Sequence, residues 1–344
     1  FGSSAFFGWS LIPSLPPGPQ SVSSMAAAML AAPSQASQAT GTKRPCEEMS
    51  TSAGSDAAEV ELGPKPEKAY KSSEFLNSKG ARMIRMMCEL QQPGAVLEEH
   101  GIDNVIMFFG SARAKPRAQY EQAVRDAEAK AAADPNDQRA QGALARLQKQ
   151  AFLIPMFDVV QEVARMTTEW SAKRAAQGKM AYSVGTGGGP GMMEAANKGA
   201  ALAGGKSIGF GISLPFEDHL NPHVTPDLAF EFHYFFTRKF WMSYKCMGLV
   251  VAPGGLGTCD ELFEVITLMQ TGKIRRSLPV ILIGKQFWKS CINWDFFVQT
   301  GMISDEDASQ LIFADTAQEA FDALVAGVTA LEATPVAPKK RAKA

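Results

Sequence analysis

Short apolar runs alternate along the chain with amphipathic stretches between about residues 104 and 331. The apolar runs have the length of buried strands and occupy residues 104–109, 180–184, 207–214, 228–232, 249–252 and 279–283. The stretches with helical periodicity occupy residues 152–176, 190–204, 237–246, 257–272, 286–300 and 316–331. Strands that alternate with helices predict an α/β protein, with a doubly wound and mainly parallel sheet that helices cover on both faces.

Two further segments in the folded part have helical patterns. Residues 73–90 are predicted to form a helix ahead of the first strand. Residues 117–150 are charged and rich in alanine, with an Asp-Pro-Asn-Asp turn at 134–137. This second segment is predicted to be a helical insertion, a hairpin of two solvent-facing helices, and no chemistry is assigned to it.

The two ends of the chain differ in composition from the middle. Residues 1–71 are dominated by Ser, Ala, Pro and Gly without periodicity, and residues 333–344 form a short basic tail, so both are predicted to be disordered. A single domain is therefore expected over residues 72–332. The chain begins at Phe1, and Met25 is a candidate initiator. Residues 25–40 are rich in Ala and Ser and lack acids, which resembles a plastid or other organellar targeting segment; plain disorder and a cytoplasmic protein are the preferred interpretation.

Charge and composition narrow the classes of partner. The formal net charge is −1, so bulk electrostatics give no reason to expect a nucleic-acid or acidic-membrane partner. No apolar run reaches the roughly 18 residues that a membrane helix needs. The cysteines are scattered without metal-ligand spacing, which indicates free thiols and no metal site; they are Cys46, Cys88, Cys246, Cys259 and Cys291.

Two glycine-rich segments each follow a predicted strand and open a predicted helix. They read G-T-G-G-G-P-G-M-M-E at 185–194 and P-G-G-L-G-T-C-D-E at 253–261. Glycine lets the backbone approach an anion, and the free N–H groups at a helix start bind one, although a tight turn is the alternative for each segment. The first segment is neither a P-loop nor a G-x-G-x-x-G dinucleotide motif. Because strands of one parallel sheet end at the same edge, we expect both segments to hold one ligand, phosphate at one and sugar at the other.

Charged and hydroxyl side chains stand close to these segments in sequence. Arg238, at a predicted helix start, is suited to bind a phosphate or a carboxylate, and a surface cation is the alternative. Glu261 lies in the first turn of the helix after the second glycine segment, where it is either catalytic or an acid favoured by the helix dipole. Gly110 and Ser111 follow the first strand in a turn that suits a ligand. No G-x-S-x-G turn is present, so a serine triad is not indicated.

Taken together, these motifs resemble the Lonely Guy family of phosphoribohydrolases, whose members carried the older label "lysine decarboxylase-like". The family's P-G-G-x-G-T-x-x-E is intact at 253–261, its Arg-Lys pair precedes it as Arg238 and Lys239, and its G-G-G-x-x-G-x-M corresponds to 187–193. The F-G-S-A-R at 109–113 and Q-T-G-K-I at 270–274 resemble the longer subgroup. The resemblance covers about residues 72–325.

The resemblance implies a set of site residues. The catalytic residues would be Arg238 and Glu261. The motifs and the resemblance together indicate the following substrate contacts: Gly110, Ser111, Thr186, Gly187, Gly188, Gly189, Gly191, Glu217, Lys239, Gly254, Gly255, Leu256, Gly257, Thr258, Cys259, Asp260 and Thr267. The family pattern further implies a Rossmann-like sheet, a homodimer or larger assembly with sites near the interface, and neither a cofactor nor a metal. Cys259-Asp260 departs from the common Leu-Glu.

The activity that this resemblance implies is hydrolysis of the N-glycosidic bond of a nucleoside 5′-monophosphate, either a cytokinin riboside monophosphate or one like AMP. The products would be a free base and ribose 5-phosphate. A carboxylate beside the ring stabilises the positive ribose that develops as the base leaves. The first alternative is a non-catalytic carrier of a phosphorylated ligand, such as a molybdenum-cofactor carrier. A pyridoxal-phosphate decarboxylase is disfavoured because no lysine stands in a convincing Schiff-base context, and an interaction-only scaffold would not need two glycine loops.

Overall fold

Seven parallel strands form one sheet in the computed structural model, which describes residues 65–215, 219–274 and 276–333. The strands are β1 (Val105–Phe109), β2 (Ser183–Thr186), β3 (Ser207–Ile212), β4 (Ala229–Phe232), β5 (Cys246–Val251), β6 (Val280–Ile283) and β7 (Leu311–Ala314). Their order across the sheet is β4-β3-β2-β1-β5-β6-β7, and every neighbouring pair is parallel. The predicted Rossmann-like α/β class is therefore confirmed.

Helices connect the strands. They are α1 (Ser73–Asn77), α2 (Arg82–Glu99), α3 (Arg117–Ala133), α4 (Gln138–Lys149), α5 (Leu153–Ala176), α6 (Met192–Leu202), α7 (Phe235–Tyr244), α8 (Leu256–Gln270), α9 (Lys285–Cys291), α10 (Trp294–Gln299), α11 (Asp305–Ser309) and α12 (Ala317–Ala333). A 3₁₀ turn at Pro226–Leu228 leads into β4. None of the helices in the described ranges has the length and apolar character needed to span a bilayer.

The strand order reverses direction between β1 and β5. From β1 the chain adds β2, β3 and β4 on one side, and then returns to add β5, β6 and β7 on the other. In sheets of this kind ligands bind outside the carboxyl ends of the strands at that reversal. The loops that leave β1, β2 and β5 are therefore the ones that the topology brings to the ligand-binding edge.

Strands β1, β3, β5 and β6 are buried along their whole length. Helices cover both faces of a parallel sheet, so such strands are continuously apolar rather than alternating. This pattern is the reason that the apolar runs in the sequence marked the central strands.

Several predicted boundaries were wrong. The sequence pattern missed β7, a short strand at the sheet edge whose middle residues are only half-buried. The predicted helix 73–90 is two helices, α1 and α2, and α2 continues to Glu99 through Pro93. A Cβ on Gly94 would lie 2.7 Å from Cη2 of Trp241, so Pro93-Gly94 marks a helix contact and not a helix end. The predicted helix 286–300 is α9 and α10, because the Asn293 side chain accepts from the N–H of Phe296 and starts a new helix.

Two strands begin at other residues than predicted. Strand β2 begins at Ser183 and not at 180, and β5 begins at Cys246 because α7 ends at Tyr244 and not at 246.

The insertion at 117–150 contains α3 and α4, and Asp137 caps α4 by accepting from two backbone N–H groups. The predicted contact residue Glu217 and most of the two predicted tails, residues 1–64 and 334–344, lie outside the described residues.

Candidate active site

The loop after β1 lies between the two glycine loops and is hydrogen-bonded to both. The N–H of Ser111 donates to the carbonyl of Pro253 at 3.0 Å, and the N–H of Met192 donates to the carbonyl of Ser111 at 3.1 Å. The N–H of Ala252 donates to the carbonyl of Phe109 at 2.8 Å. The loops at 185–194 and 253–261 therefore flank the same short segment at the reversal of strand order.

Glycine is required where these three loops touch. Gly191 has a φ of +75°, and a Cβ there would lie 2.3 Å from the carbonyl oxygen of Ser111. A Cβ on Gly110 would lie 2.6 Å from the Cβ of Met192 and 3.1 Å from that of Ala252. Any side chain at either position would push the glycine loops apart.

A buried polar network of side chains holds the first glycine loop in place. The hydroxyl of Thr186 donates to Oδ1 of Asn197 at 2.7 Å and accepts from the N–H of Gly188 at 2.9 Å. Nδ2 of Asn221 donates to the carbonyls of Gly188 and Gly189, each at 3.0 Å, and to Oδ1 of Asn197 at 2.9 Å. The loop carbonyls are thus turned towards the protein interior. The hydroxyl of Thr186 is part of this scaffold, and the predicted substrate contacts of Thr186 and Gly187–Gly189 stay predictions.

Sequence reasoning did not single out Asn197 and Asn221. Both side chains are buried. An asparagine inside a helix is unfavourable on its own, so Asn197 on the buried face of α6 was an available signal of a polar network. Nothing local marks Asn221, which lies in the loop between β3 and β4.

The second glycine loop is open. Gly255 is the N-cap of α8, and no side chain caps the first turn. Gly255, Leu256 and Gly257 are exposed, and a Cβ added to either glycine would meet nothing within 4 Å. Unpaired N–H groups at a helix start, reached across glycines, are the arrangement that binds phosphate groups in proteins. Gly254 is more restricted, since its Cβ would lie 2.1 Å from Oγ1 of Thr258.

Arg238 and Glu261 lie next to each other between these loops. Nη1 of Arg238 is 3.7 Å from Oε1 of Glu261, and only 12% and 9% of the two side chains are exposed. Nε of Arg238 donates to the carbonyl of Phe210 on β3 at 2.7 Å. A Cβ on Gly187 would lie 2.4 Å from Nη2 of Arg238, so the guanidinium also rests against the first glycine loop. The predicted catalytic pair therefore lies together at the edge where the loops meet.

The carboxyl of Glu261 has a strongly shifted pKa. Burial raises its pKa from the ordinary 4.5 to about 7, since a charged carboxylate loses its hydration there. The positive charges of Arg238 and Lys239 oppose this shift, and the neighbouring Glu264 and Asp260 reinforce it. A carboxyl with a pKa near neutrality can take up and release a proton at physiological pH.

Lys239 joins the two helices that carry the pair. Its Nζ lies 2.8 Å from Oδ2 of Asp260 and 2.9 Å from Oε2 of Glu264, so α7 is tied to α8. Burial lowers the pKa of Lys239, but the hydrogen bonds to these two carboxylates raise it, and the net pKa lies above the usual value. Lys239 and Asp260 are paired with each other here, and their predicted contacts with substrate stay predictions.

The other predicted contacts take various positions. Thr258 is buried, Cys259 is half-buried with a pKa that burial raises, and Thr267 is exposed further along α8. The roles of these residues stay predictions. In the described ranges no three His, Cys, Asp or Glu side chains converge in a way that could hold a metal ion.

The sheet, the converging glycine loops and the buried Arg238–Glu261 pair define an α/β protein of the Rossmann-like class with a candidate anion-binding edge. A protein-family model described as "Possible lysine decarboxylase" matches residues 193–324. The "Probable cytokinin riboside 5'-monophosphate phosphoribohydrolase LOGL3" of Oryza sativa subsp. japonica is 32% identical over 87 residues, which are 25% of this chain and 41% of the rice protein. Both matches support the resemblance to the Lonely Guy family that the motifs indicate, over part of the chain. The match spans about two fifths of the rice protein's length.

Two solved structures are distantly similar. The molybdenum cofactor binding protein from the phototrophic bacterium Rippkaea orientalis has a TM-score of 0.38 and 16% identity, over 65% of this chain and 96% of that one. The Moco carrier protein from Chlamydomonas reinhardtii has a TM-score of 0.36 and 20% identity, over 67% of this chain and 98% of that one. The fold assignment rests on the strand order of this chain itself.

Proposed function

We propose that this protein hydrolyses the N-glycosidic bond of a nucleoside 5′-monophosphate to a free base and ribose 5-phosphate. The observation that carries the proposal is the buried Arg238–Glu261 pair, with 3.7 Å between Nη1 and Oε1, beside two converging glycine loops. The uncapped start of α8 suits the phosphate. Glu261 lies on the second turn of α8 and not, as predicted, on the first, because the helix begins at Leu256. A phosphate held at Gly255–Gly257 would bring the attached sugar near the Glu261 carboxylate.

The reaction adds one water across one bond. The bond between C1′ and the base nitrogen breaks, its electron pair leaves with the base, and the water oxygen forms a new bond to C1′. The carboxylate of Glu261 stabilises the positive charge that develops on the ribose and accepts a proton from the attacking water, while a proton from solvent completes the free base. The pKa of about 7 for the Glu261 carboxyl suits this proton transfer.

Arg238 has a supporting role in this scheme. A guanidinium keeps its proton throughout the physiological pH range, so Arg238 is no general acid. Its contacts with Phe210, the first glycine loop and Glu261 fix the carboxylate in place and oppose the rise in its pKa. Binding energy at the remote phosphate then orients the ribose, which favours nucleotides over nucleosides.

The description of the matching family as possible lysine decarboxylases points to different chemistry, which Lys239 does not suit. A lysine that forms an imine needs a lowered pKa so that its amine is neutral. Lys239 instead lies between two carboxylates that raise its pKa. The activity in the name of the rice relative, a phosphoribohydrolase, agrees better with the Arg238–Glu261 pair.

We further propose that the protein is a homodimer with its site near the interface. Aromatic side chains on the outer face of α7 are exposed to solvent: Phe235 by 53%, Phe236 by 48%, Phe240 by 42% and Tyr244 by 51%. On α8, Leu256 is 91% exposed and Phe263 37%. Exposed apolar residues concentrated on adjacent helices mark a protein interface, and these are the helices that carry Arg238 and Glu261.

The compartment that we propose is the cytoplasm. The cysteines in the described part of the chain, Cys88, Cys246, Cys259 and Cys291, are all free thiols, which suits a reducing compartment.

The substitution Glu261→Gln tests the proposed function. Purified protein is incubated with a panel of purine, pyrimidine and cytokinin nucleoside monophosphates, and the free base is measured by chromatography. We expect turnover of at least one nucleotide, and a loss of about a hundredfold or more in the variant because the stabilising charge is gone. Glu128→Gln, an exposed change on α3, is the matched control and should keep full activity. Binding of nucleotides without release of base would instead support a carrier, and full activity of Glu261→Gln would refute the assignment.

A further inference from the structure

We propose that Glu89, on helix α2, is a positioning residue that sets the orientation of α7 and thereby holds Arg238 against Glu261. The catalytic part of this inference rests on the proposed hydrolase function. Glu89 lies in a segment to which the sequence motifs assign no chemistry, and it is remote along the chain from the residues that it contacts.

The carboxylate of Glu89 caps the start of α7 from another helix. Its Oε1 accepts from the N–H of His233 at 3.0 Å, and its Oε2 accepts from Oγ1 of Thr237 at 2.5 Å and, at a longer 3.4 Å, from the N–H of Tyr234. The N-cap residue of α7, Tyr234, provides no capping side chain. A carboxylate at this position also interacts favourably with the positive end of the helix dipole.

The main chain of Glu89 holds the same helix a second time. Its carbonyl accepts from Nε1 of Trp241 at 3.0 Å, one turn beyond Thr237. Trp241 is buried, and Gly94 on α2 leaves room for its ring, since a Cβ there would lie 2.7 Å from Cη2. One residue of α2 therefore fixes both the start and the middle of α7, which determines how the helix is rotated about its axis.

That rotation decides where Arg238 lies. Arg238 follows Thr237 directly, and its N–H makes the first helical bond of α7, to the carbonyl of Tyr234 at 3.3 Å. Its Nε then donates to the carbonyl of Phe210 at 2.7 Å, and its Nη1 lies 3.7 Å from Oε1 of Glu261. Loss of the cap would loosen this first turn, and a shift of about 1 Å in a catalytic group can reduce turnover by up to about a hundredfold.

The substitution Glu89→Gln tests this role. The amide keeps the length of the side chain but has a single acceptor oxygen, and its NH₂ would face donors of α7. We expect kcat to fall about tenfold or more with little change in KM, because Glu89 contacts α7 and not the start of α8, where we propose that the phosphate binds. We also expect faster hydrogen exchange at the amides of 233–238. Glu98→Gln, an exposed change on the same helix, is the control and should alter neither readout.

The outcomes separate this inference from the proposed function. If the wild-type protein releases no base from any nucleotide, the hydrolase proposal fails, and exchange at 233–238 alone decides whether Glu89 orders the helix that carries Arg238. Unchanged exchange there, or an active variant whose KM rises while kcat is kept, overturns the positioning role. Should Glu89→Gln fail to fold, Glu89→Asp keeps the charge on a shorter side chain; unchanged kcat and exchange in this variant would also overturn it.

Discussion

The two glycine-rich loops leave strands on either side of β1 and meet at the same edge, yet they are built in different ways. In the first loop, Thr186–Gly189 are buried, and hydrogen bonds with the side chains of Asn197 and Asn221 hold them in place. In the second loop, Gly255–Gly257 are exposed, with open space where a side chain would point. Similar composition thus serves two purposes.

The number of glycines in a loop therefore does not identify a binding surface. The glycines of the first loop permit close packing, since Arg238, Leu220 and Ser111 occupy the positions of their absent side chains. The glycines at 255 and 257 leave a surface free for a ligand. We infer that the first loop is a scaffold that supports the site, and that the second loop is the face that receives the phosphate.

Gly191→Ala is the change from which we expect the largest effect. The residue has a φ of +75°, and the new Cβ would lie 2.3 Å from the backbone oxygen of Ser111. The main chain at Ser111 would have to move to relieve this clash. Strain of these two kinds predicts a loss of about 3 kcal/mol or more in the free energy of unfolding. Urea denaturation measures it. An alanine variant as stable as the wild type would show that the first loop is no scaffold.

Asn221→Ala should have the next largest effect. It removes the donor shared by the carbonyls of Gly188 and Gly189 and by Asn197 and leaves these buried acceptors without that partner. We expect unfolding to become easier by about 2–4 kcal/mol. Asn104→Ala is the matched control: its amide donates to a single carbonyl, that of Ala181, near the surface, and its loss should cost about 1 kcal/mol or less. Equal losses in the two variants would contradict the bracing role of Asn221.

These long-range contacts also mark what the sequence could and could not predict. Continuous apolar strands and amphipathic helices are encoded locally, so the α/β class and six of the strands followed from periodicity, whereas the half-buried edge strand β7 gave no such signal. Asn221 lies 33 residues from Gly188, and Glu89 lies 148 residues from Thr237. Contacts across such separations depend on how the helices pack, which single-chain patterns do not contain. The pairing of Arg238 with Glu261 was expected only from resemblance to the family.

The free energy of unfolding should depend on pH, because the buried carboxyl of Glu261 ends the second glycine motif. Burial raises the pKa of Glu261 to about 7 in the folded protein, above its ordinary 4.5, so the folded state binds more protons between these values. The stabilisation from protonated Glu261 is therefore full below pH 4.5 and is lost as the pH rises through 7. The shift corresponds to about 3 kcal/mol at most.

Replacement of Glu261 with glutamine removes this titration. We expect Glu261→Gln to be more stable than the wild type at pH 8, by about 1–3 kcal/mol, and to approach it at pH 4.5. Wild-type kcat/KM should show the opposite trend, rising between pH 6 and 8 as the carboxylate ionises. Urea denaturation and initial rates at matched pH values measure the two. Parallel trends in stability and activity would contradict a buried catalytic carboxylate.

Gly257→Ala should have the smallest effect on stability and is the most direct probe of the second loop. A Cβ at this position meets nothing within 4 Å, and the residue lies inside α8, where alanine is favoured over glycine. We expect unfolding to become harder by about 0.5–1 kcal/mol. The added methyl group would nevertheless stand where phosphate approaches the N–H groups of the first turn, so KM for a nucleotide should rise several-fold with kcat nearly kept. Because Gly191→Ala acts through folding and Gly257→Ala through binding, the pair separates scaffold from ligand surface, and an unchanged KM would place the phosphate elsewhere.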